Sequence, residues 1–150
     1  MRILISTDGS EFSRAAVEKS FEIIVSPEKT AIKIVSVFEV LEPLDISISP
    51  EFSQELESSA RKKAQEFAGQ AAARVKERFP QIDLTTQISL GAPDEILIAA
   101  AKQWQADLII IGSHGRGFWG RMLLGSITDS LVHHAPCSVL VVRGASRENA

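Results

Sequence analysis

Cysteine is nearly absent from this chain, since Cys137 is the only one among 150 residues. A single thiol excludes an internal disulfide framework and a structural zinc site built from several cysteines. Cys137 lies beside an apolar run that is typical of a buried strand. We therefore expect an inert core thiol rather than a redox centre.

The chain also lacks a surplus of positive charge. It carries 16 basic and 19 acidic residues, a formal net charge of −3 with histidine neutral, and no long block of one sign. Proteins whose main partner is nucleic acid usually have a basic surplus that neutralises the phosphate backbone. We therefore expect no nucleic-acid partner.

Long apolar runs are missing as well. No run approaches the ~20 residues that a membrane-spanning helix needs, so we expect no membrane partner. The first ten residues, MRILISTDGS, hold one positive charge and reach Asp8 too early for a secretory signal peptide. These absences predict a cytoplasmic protein.

Length and composition predict a single folded domain over residues 1–150. A chain of this size is ordinary for one domain, and an apolar share of 45% is enough for a core. No internal repeat or low-complexity tract suggests a second unit.

Short apolar runs alternate along the chain with segments of helical period. The predicted strands are Ile3–Ile5, Thr30–Val37, Asp83–Leu90, Leu108–Ile111 and Val139–Val142. The predicted helices are Glu11–Val25, Ser53–Phe79, a third that opens at Pro93, and Ser126–His134. This alternation predicts an α/β fold with a doubly wound, five-stranded parallel sheet and helices on both faces.

Apolar stripes and strand patterns refine that prediction. The stripe of the first helix includes Ile24 and Val25, and the stripe of the second begins at Phe52. The third strand alternates apolar and polar residues more openly than the others, which places it at a sheet edge. Residues Glu39–Glu51 have no helical period and form a long loop, either a flap over a ligand or a plain connector.

The segment DLIIIGSHGRGFWGRMLLGSITDS, residues 107–130, is the most informative about function. Its apolar run ends at Gly112, Gly115 follows, and Gly125 and Ser126 precede a helical segment. Glycine lets the backbone approach an anion closely, and the unpaired N–H groups of a helix N-terminus then face the charge. The pattern therefore predicts a phosphate site, most naturally for a nucleotide, and the alternative is an ordinary tight turn after a strand.

Polar residues beside these glycines have two compatible interpretations each. Ser126 can cap the last helix, with Asp129 completing a capping box, and its hydroxyl can also donate to a phosphate. Thr128, in the same first turn, can offer its hydroxyl or its amide. Asp8 directly follows the first strand, where it either forms an Asx turn with Gly9 and Ser10 or faces a ligand.

The pattern Gly112-x2-Gly115-x9-Gly125-Ser126 resembles the ATP-binding signature of the universal stress protein family. The resemblance extends over nearly the whole chain. MRILISTDGS is similar to the family's first strand and acidic turn, and HAPCSVLVV, which ends at Val142, is similar to its last strand. It implies the strand order 3-2-1-4-5, with the reversal of winding next to Asp8 and Gly112.

The resemblance also implies a ligand, a residue set and an assembly. The ligand is ATP with Mg²⁺; Asp8 lies near the ribose or a phosphate-bound metal, and the main chain of Val37 meets the adenine edge. The last strand, here Ser138 to Val142, pairs with its twofold mate in a homodimer. Phosphate or ribose contacts, mostly from the backbone, fall to Ser113, His114, Gly115, Gly125, Ser126, Ile127 and Thr128. Gly112 joins them as a glycine that lets the loop backbone wrap the phosphates.

The segment RGFWGRMLL, between the two halves of the motif, has several possible roles. Arg116 or Arg121 can clamp a terminal phosphate. Phe118 and Trp119 either fold back on the domain or contact the partner subunit or another protein.

Three functions are compatible with the sequence. The first is an ATP-binding universal stress protein that serves stress response or regulation. The second is slow ATP hydrolysis or self-phosphorylation at Ser126 or Thr128, although the chain offers no clear general base and no lysine beside the phosphates. The third is an interaction protein with a vestigial nucleotide pocket. No Walker motif and no GxSxG elbow occur.

Overall fold

The computed structural model describes residues 1–40, 47–115 and 124–144. Within these ranges the chain forms five β-strands, four α-helices and one short 3₁₀ turn at Pro27–Lys29. The strands are β1 (Arg2–Ser6), β2 (Ala31–Phe38), β3 (Asp83–Leu90), β4 (Leu108–Gly112) and β5 (Ser138–Val142). The helices are α1 (Glu11–Ile23), α2 (Pro50–Arg78), α3 (Pro93–Trp104) and α4 (Ser126–His134).

All strand pairs are parallel, and their order in the sheet is β3-β2-β1-β4-β5. The predicted α/β fold, its strand order and the edge position of the third strand are therefore confirmed. The winding reverses at β1, which pairs with β2 on one side and with β4 on the other. Ligands of doubly wound sheets bind beyond the carboxyl ends of the strands at this point.

Two apolar cores lie on opposite faces of the sheet. Ile3 and Ile5 face the core under α1 and α2, whereas Leu4 between them faces the core under α3 and α4. All three side chains are fully buried. This burial on both faces explains why the central strands are continuous apolar runs.

Helix ends differ from the sequence prediction where a serine precedes a proline. Helix α1 ends at Ile23, and Val25, expected in its apolar stripe, is 88% exposed. Pro27 disfavours helical backbone at Ser26, so the helix stops before it. The predicted extension of the first helix to Val25 is thus wrong.

Helix α2 begins three residues earlier than predicted. Ser49 caps it by accepting a hydrogen bond from the amide of Phe52 at 3.2 Å, and Pro50 occupies the first turn. Phe52, expected in the buried stripe, is 46% exposed. The end of the predicted loop Glu39–Glu51 is therefore a cap and a first helical turn, a Ser-Pro signal that the prediction missed.

Two predictions fall wholly or partly outside the described residues. The interpretations of Arg116, Phe118, Trp119 and Arg121 lie there, and so does the central part of the loop that was expected to be a flap or a connector. Within the described ranges, no helix combines the length and apolar composition that a membrane span requires.

Candidate functional site

The carboxyl ends of β1 and β4 bring two of the predicted site residues together. Asp8 follows β1, and Gly115 follows β4. A Cβ atom placed on Gly115 would lie 3.0 Å from Oδ2 of Asp8. The acidic turn after β1 (Thr7–Ser10) and the glycine loop after β4 (Gly112–Gly115) are therefore neighbours at the point where the winding of the sheet reverses.

The turn after β1 orients Asp8. Its Oδ1 accepts a hydrogen bond from the amide of Ser10 at 3.0 Å, which confirms the predicted Asx turn. Ser10 in turn caps α1, because its hydroxyl oxygen accepts a hydrogen bond from the amide of Ser13 at 3.1 Å. Gly9 has a φ of +76°, which favours glycine at this position. One carboxylate oxygen of Asp8 is thus held by the turn while the other lies against Gly115.

The two halves of the glycine motif are joined by backbone hydrogen bonds. The amide of Gly125 donates to the carbonyl of Ser113 at 2.9 Å, and the amide of Ser113 donates to the carbonyl of Val142 at 2.8 Å. A Cβ atom on Gly125 would lie 3.3 Å from the Ser113 carbonyl oxygen. The amides of Ser113 and Gly125, expected to face phosphate, are therefore engaged within the protein.

Helix α4 presents its first amides at the same edge of the sheet. Its first helical hydrogen bond runs from the amide of Asp129 to the carbonyl of Gly125, at 2.9 Å. The amides of Ser126, Ile127 and Thr128 consequently have no partner within the helix. Together with the positive end of the helix dipole, they suit an anion.

Ser126 does not cap α4 as the sequence predicted. Gly125 occupies the N-cap position with extended backbone, and no side-chain hydrogen bond caps the helix. Ser126 is the first helical residue, so its hydroxyl lies one position too far along the chain to close a capping box with Asp129. Its side chain is exposed instead.

Thr128 uses its hydroxyl for packing. Its Oγ1 donates a hydrogen bond to the carbonyl of Gly112 at 3.0 Å, and the residue is 2% exposed. This bond ties α4 to the end of β4. The hydroxyl proton of Thr128 is therefore used within the protein, and of the two groups predicted for a ligand only the amide is left to donate to one.

Position 112 requires glycine because helix α1 packs closely against it. A Cβ atom at this position would lie 2.6 Å from the backbone carbonyl carbon of Phe12 and 2.7 Å from its Cβ. Such distances are far below van der Waals contact, so the first turn of α1 packs directly on the end of β4. The expectation that Gly112 serves a phosphate missed this packing role, because nothing local in the sequence links Phe12 to β4.

The main chain at the end of β2 is open toward the site. The amide of Thr7 donates to the carbonyl of Val35 at 3.0 Å, so the backbone groups of Val35 face β1. Backbone groups alternate sides along a strand, so those of Val37 point to the side of β1, as those of Val35 do. Because β1 ends at Ser6, they lie past its last residue. Val37 is half-buried, and both Val37 and Ile127 pack against the α3/α4 core.

Asp94 and Cys137 have shifted pKa values. The hydroxyl of Ser130 donates to Oδ2 of Asp94 at 2.7 Å, which lowers the pKa of that carboxyl and links α3 to α4. Burial, reinforced by the charge of Asp107, raises the pKa of the Cys137 thiol. Among the residues that the structure describes, no three His, Cys, Asp or Glu side chains form a cluster suited to a metal ion.

Comparison with known proteins identifies close similarity to one family. The model of the universal stress protein family matches residues 1–143. A universal stress protein of Methanocaldococcus jannaschii is 30% identical over 149 residues, covering 98% of this chain and 84% of that protein. One of Mycolicibacterium smegmatis is 30% identical over 142 residues, covering 94% of this chain; the chain spans about half, 45%, of that relative's length.

Solved structures with the same fold include proteins with bound nucleotide. The hypothetical protein MJ0577 superposes with a TM-score of 0.81 at 25% identity, covering 99% of this chain and 97% of its own. An Arabidopsis thaliana universal stress protein family member with AMP bound gives 0.69 at 19% identity, covering 100% and 95%. A universal stress protein in complex with cAMP gives 0.67 at 21% identity, covering 97% and 98%.

Proposed function

Because the chain belongs to the universal stress protein family, we propose that it binds ATP with Mg²⁺ at the carboxyl edge of the sheet, between β1 and β4. One observation carries the proposal: Asp8 and Gly115 adjoin at the topological switch point. The first three amides of α4, which have no partner within the helix, follow the same glycine motif. The AMP and cAMP bound to two proteins of the same fold support an adenine nucleotide.

Each part of the nucleotide has a counterpart in this chain. The phosphates lie against the backbone of Gly115 and the amides of Ser126, Ile127 and Thr128, where the helix dipole favours negative charge. Mg²⁺ would keep mainly water and phosphate ligands, and Asp8 would supply the one carboxylate from the protein. The outward N–H and C=O of Val37 pair with the adenine edge.

Titration calorimetry with ATP and Mg²⁺ tests the proposal. We expect saturable binding by the wild-type protein and none by Gly115→Val, because a branched side chain there displaces the Asp8 carboxylate and blocks backbone approach. Gly69→Ala is the matched control, since a Cβ at Gly69 meets nothing within 4 Å. Absence of heat from wild-type protein at millimolar ATP contradicts the proposal, and equal affinity for AMP contradicts the triphosphate part of it.

Homodimerisation through β5 forms part of the same proposal. β5 is an edge strand of the sheet, and within the described residues no strand pairs with its outer side. Val139, Leu140, Val141 and Val142 are all half-buried, so apolar surface remains on both faces of this edge. Such an edge favours pairing with another strand. The cytoplasmic location stays a prediction.

A second candidate activity is slow self-phosphorylation or hydrolysis of ATP, and one observation narrows it. The hydroxyl of Thr128 is buried and bonded to Gly112, whereas Ser126 is exposed in the first turn of α4. Ser126 is therefore the acceptor to test. Transfer of label from γ-labelled ATP to the wild-type protein but not to Ser126→Ala supports this activity. If the protein is not labelled and no phosphate is released above the blank, the activity is excluded.

A further inference from the structure

Phe12, in the first turn of α1, lies beneath the glycine loop. Its backbone and Cβ are in the direct contact with Gly112 that leaves no room for a side chain. Its ring approaches Gly144, where a Cβ atom would lie 3.2 Å from Cδ1 and 3.3 Å from Cε1. One half-buried aromatic residue therefore touches both the residue that ends β4 and the segment that follows β5.

The same ring packs against His114, which belongs to the glycine loop itself. The two ring centroids are 5.3 Å apart, and the ring planes are tilted by 58°. Such a tilted arrangement is attractive for aromatic rings. Phe12 thus contacts the loop at the residue directly before Gly115.

His114 is held on its other sides as well. Its Nδ1 lies 3.0 Å from the hydroxyl oxygen of Ser113, a residue that is only 1% exposed. A Cβ atom on Gly125 would lie 3.5 Å from the Cα of His114. The imidazole is therefore packed between Phe12, Ser113 and the second half of the glycine motif. These contacts fix its position.

We propose that Phe12 is a positioning residue of the nucleotide site. It fixes the ring of His114 and, through it, the backbone of Gly115 beside Asp8. The proposal rests on nucleotide binding at this edge. It adds that the affinity for the phosphates depends on Phe12, a residue outside the glycine pattern. Without the Phe12 ring, His114 gains rotamer freedom, and the loop loses the contact that aligns it for the phosphates.

Titration of Phe12→Leu with Mg·ATP tests the proposal. We expect the dissociation constant to rise about tenfold relative to wild type, the effect of losing one well-placed contact. Phe12→Tyr keeps the aromatic ring and should bind Mg·ATP with the affinity of the wild type. Phe21→Leu is the matched control, because Phe21 lies on the same helix and packs edge-on against Phe79, 5.8 Å away and on another part of the protein.

NMR of the His114 ring protons supplies a readout that a general loss of stability does not move. We expect the Phe12 ring current to shift these resonances in wild type, and we expect that shift to vanish in Phe12→Leu and to remain in Phe21→Leu. If wild type binds no ATP, the proposed function fails and takes this inference with it. If wild type binds and folded Phe12→Leu binds equally well, the inference alone fails, whatever the His114 resonances do.

Discussion

At the residue scale, the three glycines of the motif meet three different constraints. Gly112 admits the first turn of α1, Gly125 lies against the Ser113 carbonyl, and Gly115 lies against the carboxylate of Asp8. Only the last contact is with a group that suits a ligand. A side chain at each position should therefore have a different effect, on packing at Gly112 and on ligand binding at Gly115.

Asp94 and Ser130 give a pH-dependent prediction at the same scale. The hydroxyl of Ser130 holds the folded-state pKa of Asp94 below its ordinary value. The resulting stability is present above the unfolded-state pKa and is lost as the pH falls through the folded-state pKa. We expect Ser130→Ala to raise the pKa of Asp94, as measured by NMR titration of the carboxyl carbon.

The same variant should also narrow the stability difference between neutral and acid pH in urea unfolding. Ser58→Ala, at an exposed position on α2, is the control and should leave both measurements unchanged. An unaltered Asp94 titration in Ser130→Ala would show that the hydroxyl does not stabilise the carboxylate.

At the scale of elements, α2 consists of two unlike halves. Its buried residues are Ala64, Ala68, Ala71 and Val75, all in the second half. The first half has no buried residue and begins at the Ser49 cap. Tertiary packing therefore stabilises mainly the part of the helix from Ala64 onward, and the first half depends more on helix propensity and capping.

Gly69 lies inside the packed half of α2 and predicts a stabilising substitution. Gly69→Ala meets open space and gains helix propensity, so we expect the free energy of unfolding to rise by about 1 kcal/mol. Gly112→Ala should have the opposite sign and lose about 1–3 kcal/mol, because it forces the backbone of Phe12 away from β4. Urea unfolding of both variants measures the two changes, and a destabilised Gly69→Ala would be contrary to this interpretation.

Local patterns predicted the elements better than their ends. The burial of β1 and β4 on both faces makes each an apolar run, and the spacing of Gly112, Gly115 and Gly125 is a local signal too. The cap at Ser49 was missed because Ser-Pro is common to loops and helix starts. The contacts of Phe12 with Gly112 and of Thr128 with Gly112 join segments far apart in sequence, so no local pattern reports them.

At the scale of the whole molecule, the two edges of the sheet differ. The side of β3 facing away from α2 is polar, with Thr85, Gln87 and Ser89 in alternation. β5 instead has half-buried apolar residues on both faces. Pairing with a second copy would cover more apolar surface at β5 than at β3, which favours β5 as the association edge.

Backbone direction in β5 gives a sharp test of that assembly. The carbonyl of Val142 accepts a hydrogen bond from the amide of Ser113, so the backbone groups of Val142 face β4 and those of Val141 face outward. Val141→Pro removes an outward N–H and keeps the β4 ladder. We expect light scattering to give a dimer mass for wild type and a monomer mass for folded Val141→Pro.

Two further variants control for side effects of the proline. Val141→Thr keeps the N–H and the branched shape and should remain dimeric. Val142→Pro removes a ladder bond to β4 and should destabilise the fold itself. A monomeric wild-type protein at micromolar concentration, or a dimeric Val141→Pro variant, would refute association through this strand.

The hydrogen bond from the Gly125 amide to the Ser113 carbonyl has a consequence for the length of the loop that it closes. It joins the two ends of the intervening chain, so the base of that loop is closed by the protein's own backbone. Because loop-closure entropy grows only slowly with loop length, residues added between Gly115 and Leu124 should cost little stability and leave the Ser113–Gly125 pair in place.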